Sequence, residues 1–197
     1  MRLLKHLQLT AVLVALVVSL SALAASVEVG GVKLDDNATV GGTALQLNGA
    51  GVRYKAVFKV YAAGLYLSKK AATPEDVMSA AGPKRISVTM LRDIDPNELG
   101  KLFLRGVEDN APKAESSKLV PGLVKTGQIF SGMKKLVPGD TFTIDWIPGT
   151  GTVFSVKGVA QLEPVKEPEY YNALIRIWLG PNPADWKLKE ALLGKAS

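Results

Sequence analysis

Nineteen residues, Gly49–Leu67 (GAGVRYKAVFKVYAAGLYL), constrain the fold more than any other stretch of this chain. After Arg53 the segment is almost wholly apolar and rich in aromatic and β-branched residues, which is strand composition. Drawn out as one strand, it would hold Arg53 and Tyr61 roughly 26 Å apart, at about 3.3 Å per residue. They can share a site only if the chain reverses near Lys55–Val57, pairing them across neighbouring strands. No strong turn former sits there, so the local sequence leaves the reversal open. A guanidinium beside an apolar surface can hold an amphiphile by its anionic end, because its planar fork of donors matches a carboxylate. It can equally belong to a structural salt bridge, with the tyrosines in the core and their hydroxyls satisfied. On composition alone these two readings stand level.

The first residues narrow the available chemistry. Arg2 and Lys5 precede an apolar run, Leu9–Leu20, closed by the small-residue site Ala22-Leu23-Ala24, the pattern of a cleavable secretory leader. The run is short for a membrane span and is interrupted by Ser19 and Ser21, so an uncleaved anchor fits less well. The expectation is a leader over residues 1–24 and one exported domain over residues 25–197, with a bacterial periplasm as its setting. The single histidine, His6, falls inside the leader, and the chain has no cysteine. Ser-His-Asp and Cys-His nucleophiles, zinc sites of the usual kind and disulfides are thereby excluded from the exported domain. No cofactor is expected. The net charge of +6 is spread over scattered pairs such as Lys69-Lys70, Lys84-Arg85 and Lys134-Lys135, which read as solvated faces. No aromatic-basic motif for nucleic acid is present; a weak attraction to anionic lipid or acidic ligands is compatible with the charge.

Further along, Val27–Leu34 reads as a strand with a tight bend at Gly30-Gly31, and Lys84–Arg92 as another. Thr73-Pro74-Glu75 starts a short helix. Asp95-Pro96-Asn97-Glu98 starts a longer one, with an acidic cap, Pro at its first position and an apolar stripe through Leu99, Leu102, Phe103 and Val107. Ser116–Leu136 is helical, with Pro121 expected in its first turn. Thr141–Ile147 and Thr152–Lys157 form a hairpin about Pro148-Gly149-Thr150-Gly151, with Asp140 and Asp145 expected to face solvent. Glu167-Pro168 opens a helix that ends at Gly180, and Asn182-Pro183 caps a last one that ends at Gly194. Strands first, helices inserted and a late hairpin make an α+β chain with a mainly antiparallel sheet.

Gly49, Ala50, Gly51 and Arg53, followed by Phe58, Lys59, Ala62, Gly64, Tyr66 and Leu67, resemble the N-terminal signature of the chalcone isomerase fold. The similarity continues through Val88-Thr89-Met90 and its following helix, the Pro138-Gly139 turn with the Thr141–Val156 hairpin, and the two C-terminal helices. The chain is most similar to exported bacterial chalcone isomerase-like proteins. The resemblance implies an open-faced β-sandwich, a large antiparallel sheet with helices packed on one face and a ligand cleft between the layers. In catalytic relatives an arginine activates the flavonoid, aided by a strand threonine and by a tyrosine and an asparagine on the following helix. Only Arg53 matches that set. Tyr61 stands at the threonine's place, and Leu99, Leu102 and Phe103 occupy the helix, while Lys101 and Arg105 fall on its outer face by spacing. Non-catalytic members of the fold bind fatty acids through the arginine and a tyrosine.

The resemblance therefore implies a binding protein for a small amphiphilic carboxylate, a fatty acid above all, with Arg53 as anchor and Tyr61 or Tyr66 as its hydrogen-bonding partner. Phe58, Val60, Leu65 and Phe103 are the candidates for the apolar wall. Two alternatives stand beside it: a weak isomerase or intramolecular lyase using Arg53, and a scaffold with no pocket. Asp93 and Asp95 could form an acid/base pair, but the start of a helix accounts for them as caps. Tyr170, Tyr171 and Trp178 sit at core-like spacing on their helix.

Overall fold

The computed structural model describes residues 25–195; the leader expected over residues 1–24 lies outside them. The chain opens with a hairpin of β1 (Ser26–Val29) and β2 (Val32–Asp35), turning at Gly30-Gly31, then β3 (Asn37–Val40), which the sequence pattern does not announce. Two long strands follow, β4 (Thr43–Lys55) and β5 (Phe58–Leu67), and these pair as an antiparallel hairpin. The reversal falls on Ala56-Val57, with Ala56 at φ 55°, a turn made without glycine, proline or asparagine. After α1 (Pro74–Ser79), β6 (Lys84–Met90) joins β5. Next come α2 (Pro96–Glu108), α3 (Ser116–Gly132), β7 (Thr141–Ile147), β8 (Gly151–Val156), the short β9 (Val159–Ala160), α4 (Pro168–Leu179) and α5 (Trp186–Leu192).

Among the described residues, seven strands form one sheet in the order β3-β4-β5-β6-β7-β8-β9, every neighbouring pair antiparallel. Helices cover one face, so the α+β open-faced sandwich is what the chain builds. The main core lies in that layer. It takes Ala63, Leu65 and Leu67 from β5, Ile86, Val88 and Met90 from β6, and Phe142 and Ile144 from β7, packed on the inward sides of α2, α3 and α4. A smaller cluster of Val40, Leu45, Leu47 and Tyr66 lies on the opposite face. There the turn of the β1–β2 hairpin comes so near the sheet that a Cβ on Gly30 would stand 2.7 Å from Val52 Cγ2.

Two irregularities in the β4–β5 ladder decide which side chains face the helices. Between the Arg53–Tyr61 and Tyr54–Lys59 pairs the register slips by one, so Val60 is an extra residue and both Val60 and Tyr61 turn toward the core. Between Leu47–Tyr66 and Gly49–Leu65 it slips again, leaving Asn48 as the extra residue. Asn48 is buried, and its amide donates to the carbonyls of Ala71 and Leu192 while its oxygen accepts from Ala71 N–H, tying the sheet to the end of α5.

Several expectations need correction. Asp145 is not solvent-facing: it is 5% exposed and accepts a bidentate bond from Arg85 at 2.7 and 2.6 Å, under cover of the outer face. Nor is Lys84-Arg85 a solvated pair, since Lys84 is buried with its ammonium on the carbonyl of Met78. Pro121 lies inside α3, beyond its first turn, because the helix begins at Ser116. The last helix is capped by Asp185, whose carboxylate accepts from Lys187 and Leu188 N–H. Asn182 instead braces the preceding loop, donating from its side chain to the carbonyl of Asp109 and from its backbone to Asn110 Oδ1.

Candidate functional site

Residues 49, 51 and 53 of β4 share the helix-facing side of the sheet, the period-two consequence of an extended backbone. At the first two positions glycine lets α5 ride directly on the strand. A Cβ on Gly49 would stand 2.1 Å from the carbonyl oxygen of Ala191, and one on Gly51 would stand 2.7 Å from Ala191 Cβ. The helix thus runs back along β4 and begins at Asp185, beside the next inward position, Arg53. Asp185 Oδ2 accepts the backbone N–H of Tyr54 at 2.9 Å, which closes the strand onto the helix start.

Arg53 and Tyr61 are direct cross-strand partners. The guanidinium carbon lies 5.5 Å from the centroid of the Tyr61 ring. Among the described residues no carboxylate is within ion-pair distance of Arg53, and its Nε is buried with no hydrogen-bonding partner. The nearby Asp185 has both oxygens committed to backbone N–H groups. The structural-salt-bridge reading of Arg53 therefore fails.

Tyr61 is 3% exposed, and its hydroxyl accepts a 2.9 Å hydrogen bond from Trp178 Nε1. An indole N–H can only donate, so the phenol oxygen is the acceptor and its own proton is left to be offered elsewhere. Burial pushes the Tyr61 phenol above its ordinary value; the charge of Arg53 and the bond from Trp178 pull the other way. At neutral pH the group is a protonated donor beside a cation.

Both side chains line a cavity of about 160 Å³ between the sheet and the helices. Its opposite wall comes from α2, through Leu99, Leu102, Phe103 and Gly106, and its end from Ile177 and Trp178 of α4 with Pro183 and Ala184 of the loop before α5. The mouth opens past Arg105, Asp109 and Asn182, all exposed. A second cavity of about 150 Å³ adjoins it, sharing Arg53 and Leu102. That one is lined by Val60 and by the charged groups of Lys55, Arg92, Asp93, Asp95 and Glu98. Asp95 accepts from Asn97 and Glu98 N–H as the cap of α2, and Asp93 pairs with Lys135, so these two acids do not form a proton-transfer pair.

Of the residues singled out from the sequence, Arg53, Tyr61 and Phe103 meet at the first cavity and Val60 at the second. Tyr66 does not join them. It is an odd number of residues from Tyr61 and so projects from the other face, into the smaller cluster. Leu65 faces the helices but is fully buried in the core beyond the cavity. Phe58 sits at the hairpin tip, 61% exposed, with Arg92 stacked 5.5 Å from its ring centroid. Trp178 reads in the sequence first as a core residue and second as pocket lining; the structure makes it both, with its indole N–H on the Tyr61 hydroxyl. Leu102 falls on the predicted apolar stripe, yet its role as the partition between two cavities depends on the sheet opposite. The loop carrying Pro183 and Ala184 reads in the sequence as the start of the last helix, with nothing to mark it as the end of a cavity.

A family model described as chalcone isomerase-like matches residues 26–194. Among solved structures, a fatty-acid binding protein of Arabidopsis thaliana is similar with a TM-score of 0.71 and 18% sequence identity, over 86% of this chain and 96% of that one. At that identity the likeness speaks for the fold. A search of curated proteins finds no match.

Proposed function

The chain belongs to the chalcone isomerase-like family, and from that premise we propose that it is a non-catalytic binding protein for a small amphiphilic carboxylate, a fatty acid, in the cleft between sheet and helices. One observation carries the reading: Arg53 presents a cation without a counter-ion among the described residues, beside the protonated Tyr61 hydroxyl, whose oxygen is already occupied by Trp178. A carboxylate there gains charge-assisted bonds from the guanidinium and one more from the phenol. The wall facing them supports binding over turnover. Closing a chalcone requires polar groups that orient a phenolate and stabilise a developing enolate, and α2 offers Leu99, Leu102 and Phe103 instead. The neighbouring plant protein, described as fatty-acid binding, adds a precedent on the same fold. The leader pattern over residues 1–24 supports an exported, periplasmic setting for the work.

The test is a calorimetric titration of the purified protein with sodium octanoate, alongside native mass spectrometry of what co-purifies. Binding with one site per chain is expected, weakened on the order of tenfold in Tyr61→Phe by loss of one hydrogen bond to a charged acceptor. Octanoate that fails to bind, together with a protein that carries no acid from its host, would remove the reading. A chalcone consumed by the wild type and untouched by Arg53→Ala would replace it with the enzyme.

A further inference from the structure

The cavity is too small, and its interior too full, for a long alkyl chain. We propose that this site, taken as the carboxylate site argued above, is built for a short acid: a carboxylate bearing about six carbons, as a medium-length chain or a single ring, since a cavity of about 150 Å³ is the size that holds benzene. The cavity beside Arg53 measures about 160 Å³. Sites for larger ligands start at roughly 300 Å³.

Three features fix the limit. Behind Phe103 the space between sheet and helices is occupied by an aromatic cluster. The Phe103 ring lies 5.0 Å from Phe130, 5.7 Å from Phe142 and 5.7 Å from Trp178 by centroid, and Phe142 stacks on Phe154 at 5.5 Å. All of these rings are buried, so a tail can go deeper only by displacing them. Trp178 is additionally tethered through its N–H to Tyr61, which fixes the end of the cavity relative to the anchor. On the other side of Leu102 the second cavity is walled by charged groups, so methylenes placed there would strip water from charge. Among the described residues the cavity opens to solvent at the mouth by Arg105 and Asn182, where a longer tail returns to water and gains nothing.

The expected signature is a break in the chain-length series. Affinity should climb roughly fourfold per methylene while carbons are being buried, then level off near heptanoate or octanoate. Calorimetric titration with sodium salts from butanoate to tetradecanoate reads it directly, with 3-phenylpropanoate expected to match the acids at the plateau. Two variants move the break in opposite directions: Ala184→Leu, which fills the loop side of the cavity, toward shorter acids, and Phe103→Leu, which opens the floor, toward longer ones. Should Phe103→Leu not fold, Ala184→Leu alone carries the comparison, since its site is a half-exposed loop. A steady climb through tetradecanoate would overturn the size limit while leaving the carboxylate reading intact. A break that Ala184→Leu leaves unmoved would put the tail elsewhere and also overturn it. No binding by any acid would take down both.

Discussion

Replacing Arg53 by methionine separates an anchor from a structural residue, because the two roles predict opposite balances of stability and affinity. Methionine keeps an unbranched apolar stem on β4 and removes the charge. On the stability side, the substitution loses the cation–π contact with Tyr61, worth about 0.5–2 kcal/mol. Against this, it deletes a buried donor that has no partner, relieving about 1–3 kcal/mol. No ion pair is broken, because among the described residues Arg53 makes none. The net change in unfolding free energy should therefore lie between about 1 kcal/mol of loss and about 2.5 kcal/mol of gain. On the binding side, two charge-assisted hydrogen bonds at about 1.5–3 kcal/mol each disappear, so affinity for octanoate should fall by about 10²–10⁴. Urea denaturation followed by circular dichroism gives the first quantity, and calorimetric titration the second. Arg53→Met losing more than about 3 kcal/mol of stability, with octanoate affinity within a few-fold of wild type, would refute the argument and make Arg53 a fold residue.

Two further outcomes follow from the same geometry. Gly49→Ala should cost about 2–4 kcal/mol by urea denaturation, because its methyl would meet the Ala191 carbonyl, a backbone group that cannot step aside, at 2.1 Å; Gly127→Ala in α3, where nothing lies within 4 Å of the new methyl, should instead stabilise by about 0.5–1 kcal/mol. In alkali, Tyr61, Tyr66, Tyr170 and Tyr171 all resist ionisation in the fold, chiefly through burial. In the unfolded chain they ionise at their ordinary value near 10. Their contribution is thus complete below pH 10 and is lost as the pH rises above it, since the native state then holds more protons. Phenolate absorbance should appear in the same step as loss of the near-ultraviolet circular dichroism; gradual ionisation of these four with the native spectrum intact would contradict their burial.

The longer strands, the order of helices and the antiparallel sheet were legible because each rests on short-range signals: alternation, caps, and proline or glycine at element ends; the short β3 and β9 carry no such signal. The site was legible only in part, and the reason differs residue by residue. Arg53 and Tyr61 follow from one condition, a reversal at Ala56-Val57, which no local turn former declares and which the antiparallel pairing of the two long strands β4 and β5 imposes. The tyrosine choice turns on parity: with Tyr61 inward, Tyr66 is outward, and the ladder slip at Asn48 does not touch that relation because it inserts its extra residue in β4. The slip at Val60 has the opposite effect, since it lets two consecutive residues of β5 face inward, an outcome that strict alternation forbids. Asp145 and Arg85 mislead for a third reason. On a two-layer sheet their face should be wet, yet Asp145 keeps only 7% of its side chain exposed beside an Arg85 that keeps 25%, a burial that strand alternation does not foretell.

Seen at this level, the Gly-Ala-Gly-x-Arg segment has a mechanical meaning that a motif match does not supply. Positions 49 and 51 are the seat of α5, and position 53 is the first inward position beyond the helix's start. Because α5 is seated so closely, its cap, Asp185, reaches the strand and spends its carboxylate on the N–H of Tyr54 and on its own first turn. The acid nearest to Arg53 is thereby withheld from it. The glycines and the missing counter-ion are then one device: close packing of the helix satisfies Asp185 by backbone, and the guanidinium stays available for an anion that arrives from outside. It follows that loosening the seat should affect binding by a route other than volume. In Gly49→Ala the displaced helix would free Asp185 to pair with Arg53, and octanoate affinity should fall even though no cavity-lining residue has changed. Restoring it by Asp185→Asn, which keeps a cap but removes the competing charge, would identify that competition as the cause. A double variant that binds no better than Gly49→Ala would show instead that the helix only shapes the cavity.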